Sequence, residues 1–512
     1  MEKKQFYVTT PIYYVNDVPH IGHAYTTIAA DTIARYKAAS GHEVYFLTGT
    51  DEHGRKIEQT AQTSGETPIE LADRVVVKFQ DLWKVLGISN TDFIRTTEPR
   101  HHEAVSEIWR LVQKNGDIYL DEYEGWYDVR NEAFITEIQL EEIMKLPEKS
   151  RPHLEKIKEQ SYFFRLSSYQ EPLLRHYREH PEFIKPDYRR NEVVSFVEGG
   201  LRDLSVSRTN FSWGIPVPDS EGHVVYVWFD ALTNYLTSLG FPEKTGDFQK
   251  FWPADIHLVG KDILRFHAVY WPAFLMSAGL PLPKTVFAHG WWTVEGEKMS
   301  KSLGNVIDPY QVVEEFGSEI FRYFLLREIP FGQDGDYSRK SLVSRVNGEL
   351  VNGLGNLVSR SLGMIERYLE GVIPTPSELS ESEKEIENFY RETVRQVSSD
   401  LEELAFNRAL SRIWEFIALV NRYIDNTAPW KLAKQEEQSK RLGTILWTLA
   451  ESIRVISLLV YPFLPETAHQ VRRKIGLPPE VDTEDADWGG TKPGTAIKKG
   501  ENLFTRITEE NK

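Results

Sequence analysis

Two stretches of this 512-residue chain carry side chains suited to handling a polyphosphate. "NDVPHIGHAYTT" sets His20 and His23 three residues apart around Gly22, and "GEKMSKSLGN" sets Lys298, Ser300, Lys301 and Ser302 on a glycine-flanked loop. Imidazoles donate hydrogen bonds to phosphate oxygens, and a glycine lets a flat base approach the backbone. Two mobile ammonium groups neutralise charge developing on a triphosphate under attack. Each stretch alone also has a plainer reading. A histidine near a helix start is more often a cap or a solvated residue. A zinc pair on one helix shows H-E-x-x-H spacing, absent here, and K-x-x-K is equally a solvated basic turn. No G-x-x-x-x-G-K-[ST] loop occurs and "GLGNLVSR" lacks the third glycine of a dinucleotide fingerprint, so a bound nucleotide needs another phosphate device.

The elements around these stretches decide what they face. "QFYVTTPIYYV" (5–15) is β-branched and aromatic and predicts a strand running into a turn. Asn16, Asp17 and Pro19 are helix-start residues, and apolar positions at helical spacing continue until Gly41. "HEVYFLTGTD" (42–51) predicts a second, buried strand. The unit is β-α-β, with His20 and His23 at the first turn of its helix, where free N–H groups and the helix dipole favour an anion.

Strand and helix alternate to about residue 110, as in a doubly wound α/β domain. Short hairpin-like strands and the charged run "EKSRPHLEKIKEQ" then read as an insertion ending near "EVVSFVEGG". The α/β texture resumes with "VVYVWFDALTNYL", "DIHLVGKDILRFHAVYWPAFLMSAG" and "PKTVFAHGWWTVEG". Beyond about residue 345, four or more long amphipathic helices predict a bundle. The expected division is 1–113 and 199–300 for the two halves of the α/β domain, 114–198 for an α+β insertion, 301–346 for the lysine loop and a linking region, and 347–512 for the helical domain.

Composition narrows the class. Apolar residues make up 41% of the chain and charged residues 27%, as in an ordinary soluble protein. The start enters a strand directly and no run of about 18 apolar residues is evident, which predicts a cytoplasmic protein without membrane attachment. Zero cysteines exclude disulfides, thiolate catalysis and cysteine zinc knuckles. A formal charge of −16 argues against a surface that coats nucleic acid generally, while leaving room for a local basic groove.

In this order on split α/β halves, "HIGH" (20–23) and "KMSKS" (298–302) resemble the two signatures of class I aminoacyl-tRNA synthetases. The likeness covers the whole chain and is to the methionyl-tRNA synthetase family, through "PIYYVNDVPHIGH", "TGTDEHG", "SVSRTNFSWGIPVP", "YVWFDALTNY", "FHAVYWPAFL", "NLVSR" and "APW". It implies a Rossmann-like catalytic domain and a helical anticodon-binding domain, with ATP, L-methionine and tRNA(Met) as substrates and Mg2+ as the partner of ATP. By the same resemblance His20 and His23 clamp the triphosphate, Gly22 lies beneath the adenine, and Lys301, supported by Lys298, is the main cation of the first step. Asp51 matches the carboxylate that holds the substrate ammonium; Gly260 and Asp262 resemble the ribose contacts. Ile12, Tyr14, Val227, Trp228, Ala231, Tyr235, Phe266, His267 and Trp271 match the methionine pocket. On spacing alone most of these read as core. Arg208 resembles a residue near the catalytic centre, and Asn356, Arg360 and Trp430 the anticodon readers. Singly, Arg360 reads as a solvated charge and Trp430 as bundle core.

The chain departs from many relatives in two places. Asp128 and Asn131 stand at a C-x-x-C-like spacing without cysteine, so no structural zinc is expected, and packing of "EGWYDV" against "SYFFRL" is expected in its place. Many relatives continue into a further tRNA-binding or dimerising domain. Here the chain ends at "NLFTRITEENK", which predicts a monomer, with a tRNA-binding partner in trans as the alternative. A leucyl, isoleucyl or valyl enzyme is the nearest rival, but the interval between His23 and Lys298 is too short for a large editing insertion. A catalytically silent paralogue is the rival from another class, and the intact signatures with Asp51 argue against it.

Overall fold

The computed structural model describes residues 3–16, 18–128, 133–135, 137–244, 246–299, 306–481 and 486–508. Its centre is a six-stranded parallel sheet formed by β1 (Gln5–Tyr14), β2 (Glu43–Asp51), β3 (Asp92–Arg95), β4 (Ile184–Lys185), β5 (Ile256–Gly260) and β6 (Thr285–His289). The strand order is β3-β2-β1-β5-β6-β4. The order reverses between β1 and β5, and in open parallel sheets ligands bind at the carboxyl ends beside such a reversal. Side chains alternate across the sheet. Phe6, Val8, Phe46, Leu258 and Phe287 point into one core, and Tyr7, Tyr45, Leu47, Val259, Val286 and Ala288 into the other.

Helix α1 (Ile21–Ala39) is buried nearly all round, which suits its small residues and removes the usual polar face. Three charges within it, Asp31, Arg35 and Lys37, are partnered instead. Asp31 meets Arg322 at 2.6 Å and Arg35 at 2.7 Å, and Lys37 meets Glu402 at 2.5 Å. Burial pushes the Asp31 carboxyl up, but the two guanidinium groups and Ser89 outweigh it and hold the group ionised. Arg322 also donates to the Phe463 carbonyl at 3.1 Å. The core on this face of the sheet runs without a break into the helical C-terminal part.

The insertion is a four-stranded antiparallel sheet in the order Ala133–Ile135, Ile118–Asp128, Leu154–Phe164, Leu204–Ser205. Strand pairing does not follow the expected limits of 114–198: β4 returns to the catalytic sheet beside β6, while Leu204–Ser205 joins the insertion. The expected contact of "EGWYDV" with "SYFFRL" is corrected by the register. Trp126 and Asp128 face Lys156 and Leu154, whereas Tyr162 and Phe164 face Leu120 and Ile118. The charged "LEKIKEQ" is thus strand, because its partner strand and not its own composition satisfies its backbone. Asn131 lies outside the described residues.

Beyond the sheet, Trp292–Val294 pairs antiparallel with Glu297–Lys298 and parallel with Gly335–Tyr337 from the linking region. The turn uses Glu295 and Gly296, both at positive φ, the backbone a two-residue hairpin requires. Asp336 accepts from the Gly296 N–H at 2.8 Å and the Thr293 hydroxyl at 2.7 Å, which pins that turn. Helices Asn356–Leu369, Glu381–Glu402, Phe406–Thr427 and Ser439–Val460 form the expected bundle. The bundle's last helix ends at Lys474, however, and the following segment folds back, pairing Ile373 with Thr495 and Gly371 with Ile497. One segment, Glu436–Val460, is long and apolar enough by length and composition to cross a membrane, contrary to the reading that none is. Its most apolar 18-residue stretch is 94% buried in the bundle, where Glu451 and Arg454 pair at 2.6 Å.

Candidate active site

The expected site residues gather at the carboxyl ends of four adjacent strands. Tyr14 and Asp51 end β1 and β2 and are register partners. Gly260 ends β5, and His289 ends β6 beside it. A register shift between Thr9 and Ile12 re-aims the last residues of β1, including Ile12 and Tyr14. Gly49 is needed close by, because a Cβ there would lie 2.1 Å from the Ile94 carbonyl oxygen.

His20 and His23 are helix caps in a specific sense. The Nδ1 of His20 accepts the Gly22 N–H, and the Nδ1 of His23 accepts the His20 N–H, both at 3.1 Å. An acceptor nitrogen carries no proton, so both rings are neutral with the proton on Nε2. Capping therefore uses the Nδ1 edge of each ring and keeps the proton on the Nε2 edge. The rings stack at 3.8 Å, and burial together with the neighbouring imidazole pushes the His23 pKa well down. Gly22 is required by the cap itself, since a Cβ there would meet the His20 ring at 2.9 Å. Thr26, one turn on, lies 2.6 Å from His289 Nε2 and ties α1 to the end of β6.

Lys301, with Ser300 and Ser302, lies outside the described residues, as does the side chain of Lys298. The flanks of that loop are described. Met299 packs on the core that α1 shares, and just beyond the loop the Ile307 carbonyl accepts the Ile21 N–H at 3.3 Å. The chain thus leaves the hairpin and returns to the N-terminus of α1, where the histidines are.

The candidate pocket is aromatic and tightly ordered. Trp228 and Phe266 stack face to face at 3.7 Å and 5°. Phe266 and His267 sit in a π-helical turn, Phe266–Tyr270, of the kind that often marks functional sites. His267 Nδ1 donates to the Ile263 carbonyl at 3.0 Å, so its Nε2 accepts the Tyr235 hydroxyl at 2.7 Å. Burial lowers the His267 pKa to about 4, which keeps the ring neutral. Val227, Ala231, Tyr235 and Trp271 are buried around it, and Asp51 is 6% exposed. Arg208 is buried against Tyr226, 4.5 Å from the ring centroid, and donates to the Ser207 carbonyl at 2.7 Å and Ser205 Oγ at 2.8 Å.

Sequence reasoning missed a buried carboxylate. Asp230, between the pocket residues Trp228 and Ala231, receives His53 Nδ1 and His101 Nε2, each at 2.7 Å. Burial opposes its ionisation, but the two imidazoles prevail and its pKa is lowered. The Tyr14 hydroxyl donates to the His53 carbonyl at 2.9 Å, so the network joins the loop after Asp51 to the pocket helix. An aspartate inside the apolar run "YVWFDALTNY" was the available signal.

In the helical part the three remote candidates converge. Arg360 lies one turn beyond Asn356, with its guanidinium 5.9 Å from the Trp430 ring centroid. Trp430 is 39% exposed, which removes the core reading. Asn356 donates to Asn421 at 3.3 Å and Arg360 to Asp425 at 2.7 Å, a second ladder on the facing helix that spacing did not reveal.

A carboxyl-end crevice with a neutral histidine pair and a returning hairpin defines a class I tRNA synthetase arrangement, and the comparisons with known proteins agree. Residues 6–147 and 140–362 match the family model "tRNA synthetases class I (M)", and residues 373–512 match "Anticodon binding domain of methionyl tRNA ligase". A methionine-tRNA ligase of Caldanaerobacter subterraneus subsp. tengcongensis is 50% identical, covering 99% of this chain and 80% of its own length. One from Thermotoga maritima is 48% identical, covering 98% and 80%. Mycobacterium tuberculosis methionyl-tRNA synthetase in complex with methionyl-adenylate superposes with a TM-score of 0.95 at 46% identity, covering 98% of this chain and 100% of that one. The chain belongs to the methionyl-tRNA ligase family.

Proposed function

We propose that this chain ligates L-methionine to tRNA(Met) in two steps. The methionine carboxylate attacks the α-phosphorus of ATP, the bond to the β-phosphate breaks, and pyrophosphate leaves. The terminal ribose hydroxyl of tRNA then attacks the acyl carbonyl and releases AMP. No enzyme nucleophile is needed; positioning and charge neutralisation carry the rate. The observation that carries this reading is the α1 N-terminus, where both Nδ1 atoms are consumed by capping and the proton of each ring is held on Nε2. The Nε2–H groups of His20 and His23 donate to the triphosphate in this assignment, and Lys298 and Lys301 are assigned to neutralise its charge; the Ile307 carbonyl beyond their loop accepts the Ile21 N–H.

Asp51 holds the substrate ammonium. Trp228, Phe266 and Trp271, with Ile12, Tyr14, Val227, Ala231, Tyr235 and His267, enclose its side chain, and sulfur packs well on aromatic edges. Gly260 and Asp262 take the ribose, and Arg208 stands near the reacting centre. Magnesium enters with ATP, held by phosphate oxygens and water. Asn356, Arg360 and Trp430 read the anticodon, bases stacking on the exposed indole. The division into 1–113, 114–198, 199–300, 301–346 and 347–512 then assigns catalysis and anticodon reading to different ends of the chain. In this reading the enzyme is a cytoplasmic monomer that needs no structural zinc; light scattering and elemental analysis test those two statements.

Pyrophosphate exchange across all twenty amino acids tests the central assignment. Methionine alone is expected to drive it, and comparable exchange with leucine or valine overturns the pocket.

A further inference from the structure

Trp291 lies just before the lysine hairpin and is 40% exposed, an unusual position for a large indole. It is nonetheless held on several sides. Its backbone N–H donates to Asp334 Oδ1 at 2.8 Å, and its carbonyl accepts the Gly335 N–H at 2.8 Å. Lys261, bound to the same Asp334 carboxylate at 2.6 Å, places its ammonium 4.3 Å from the indole centroid. The ring so fixed donates from Nε1 to Asp262 Oδ1 at 3.1 Å. That carboxylate also folds back over Gly260, where an added Cβ would lie 2.5 Å from Oδ1. An exposed aspartate normally samples several rotamers. This one is steered on one oxygen by an indole and a glycine, which commits its other oxygen to one direction.

We propose that Trp291 is a positioning residue for nucleoside recognition: its indole N–H aims the Asp262 carboxylate at a ribose hydroxyl of ATP. The proposal rests on the assignment of Asp262 to the ribose. Because Trp291 immediately precedes the Trp292–Val294 strand of the lysine hairpin, ribose capture and hairpin placement share one rigid anchor. Asp334 completes the device, since it fixes the indole through the backbone and through Lys261 together.

The test compares ATP with 2′-deoxy-ATP and 3′-deoxy-ATP in methionine-dependent pyrophosphate exchange, using wild type, Trp291→Phe and Asp262→Asn. Phenylalanine keeps the aromatic ring and removes the N–H. Trp291→Phe is expected to lower kcat/KM for ATP roughly three- to tenfold, the usual cost of a lost orienting hydrogen bond. The KM for methionine stays near wild type, and the deoxy analogue that Asp262→Asn no longer distinguishes from ATP is hardly affected. The preference for ATP over that analogue therefore falls. If Asp262→Asn loses the preference while Trp291→Phe keeps it, the ribose assignment stands and the role of Trp291 is overturned. Equal losses with ATP and both analogues also overturn it, because a merely structural indole would act that way. If Asp262→Asn keeps the full preference, the ribose assignment falls and takes this proposal with it.

Discussion

The two ends of this molecule order their interiors with different chemistry. In the α/β half the buried polar groups include six imidazoles, His53, His101, His223, His257, His267 and His289, and all but one of the 14 histidines precede Gly290. His257, His267 and His289 are buried there, and burial is the leading cause that holds each below the ordinary histidine range. In the helical half no described histidine is buried, and the buried carboxylates Glu383 and Glu451 are held by guanidinium groups. Glu383 takes Arg441 at 2.7 Å and the Tyr423 hydroxyl; Glu451 takes Arg454 at 2.6 Å and the N–H groups of Gly489 and Thr491. A neutral imidazole offers one donor and one acceptor, so it can brace the fold with one nitrogen and serve a ligand with the other, the arrangement proposed for His20 and His23. A charge pair braces more firmly and leaves less to offer. The α/β half uses both devices, since its buried Asp31 is paired with Arg322 and Arg35, whereas the helical half relies on charge pairs.

The sharpest way to break this contrast is Arg454→Ala, which leaves Glu451 buried without its cation. A loss of about 3–5 kcal/mol is expected, seen in chemical denaturation and as hydrogen exchange spreading along Ser439–Val460. A loss below about 1 kcal/mol would show that the backbone donors alone suffice. Next comes Lys301→Ala, expected to slow adenylate formation roughly a hundredfold, or about 3 kcal/mol. Its affinity for tRNA should stay near wild type, as filter binding would measure. Trp430→Ala should do the reverse, leaving exchange intact while tRNA charging falls by ~1–3 kcal/mol, the usual worth of a base stack. Equal damage to both reactions in a folded protein would make Trp430 structural. With a net charge of −16, tRNA contact is expected to be focal, and binding should still weaken as salt rises.

The smallest effect per group is set by pH. His257 is lowered well below 6.5 and His267 to about 4, both chiefly by burial. Below pH 6.5 the unfolded chain takes up protons that these rings refuse, so their contribution is complete above 6.5 and is lost as pH falls. Each costs about 1 kcal/mol between pH 7 and 5.5. Glu383 behaves differently. Burial raises its pKa, but Arg441, Ser380 and Tyr423 outweigh that and bring it to about 2, so its contribution persists until pH falls below 4.5. Peptide-resolved hydrogen exchange, corrected for intrinsic rates, should show the α/β half loosening first. Simultaneous loosening, or the helical half leading, would end the distinction.

Legibility followed distance along the chain. The β-α-β unit with His20 and His23 at its helix start could be read from residues 5–51, because strand pattern, cap residues and turn lie within a few positions of one another. The bundle helices could be read for the same reason. The insertion's existence and its hairpin-like strands could be read too, but not that the charged "LEKIKEQ" is strand, which depends on Ile118–Asp128 supplying its hydrogen bonds. Trp430 and Arg360 could be proposed as partners by resemblance, but their exposure and mutual contact depend on how two helices pack.

The sequence by itself determined which residue types were available at the ends of the strands, the order of the two signatures, the helices, and the absence of thiol chemistry. Those follow from local sterics, periodicity and composition, which act over a turn or a strand. Only the tertiary structure decided that the histidines spend Nδ1 on capping and keep the proton on Nε2, and that Asp230 meets His53 and His101 from distant segments. It alone decided that Trp291 is clamped against Asp262. Such hydrogen bonds have directions and need both partners within about 3 Å, and which groups come that close is fixed by the packing of the sheet and its helices.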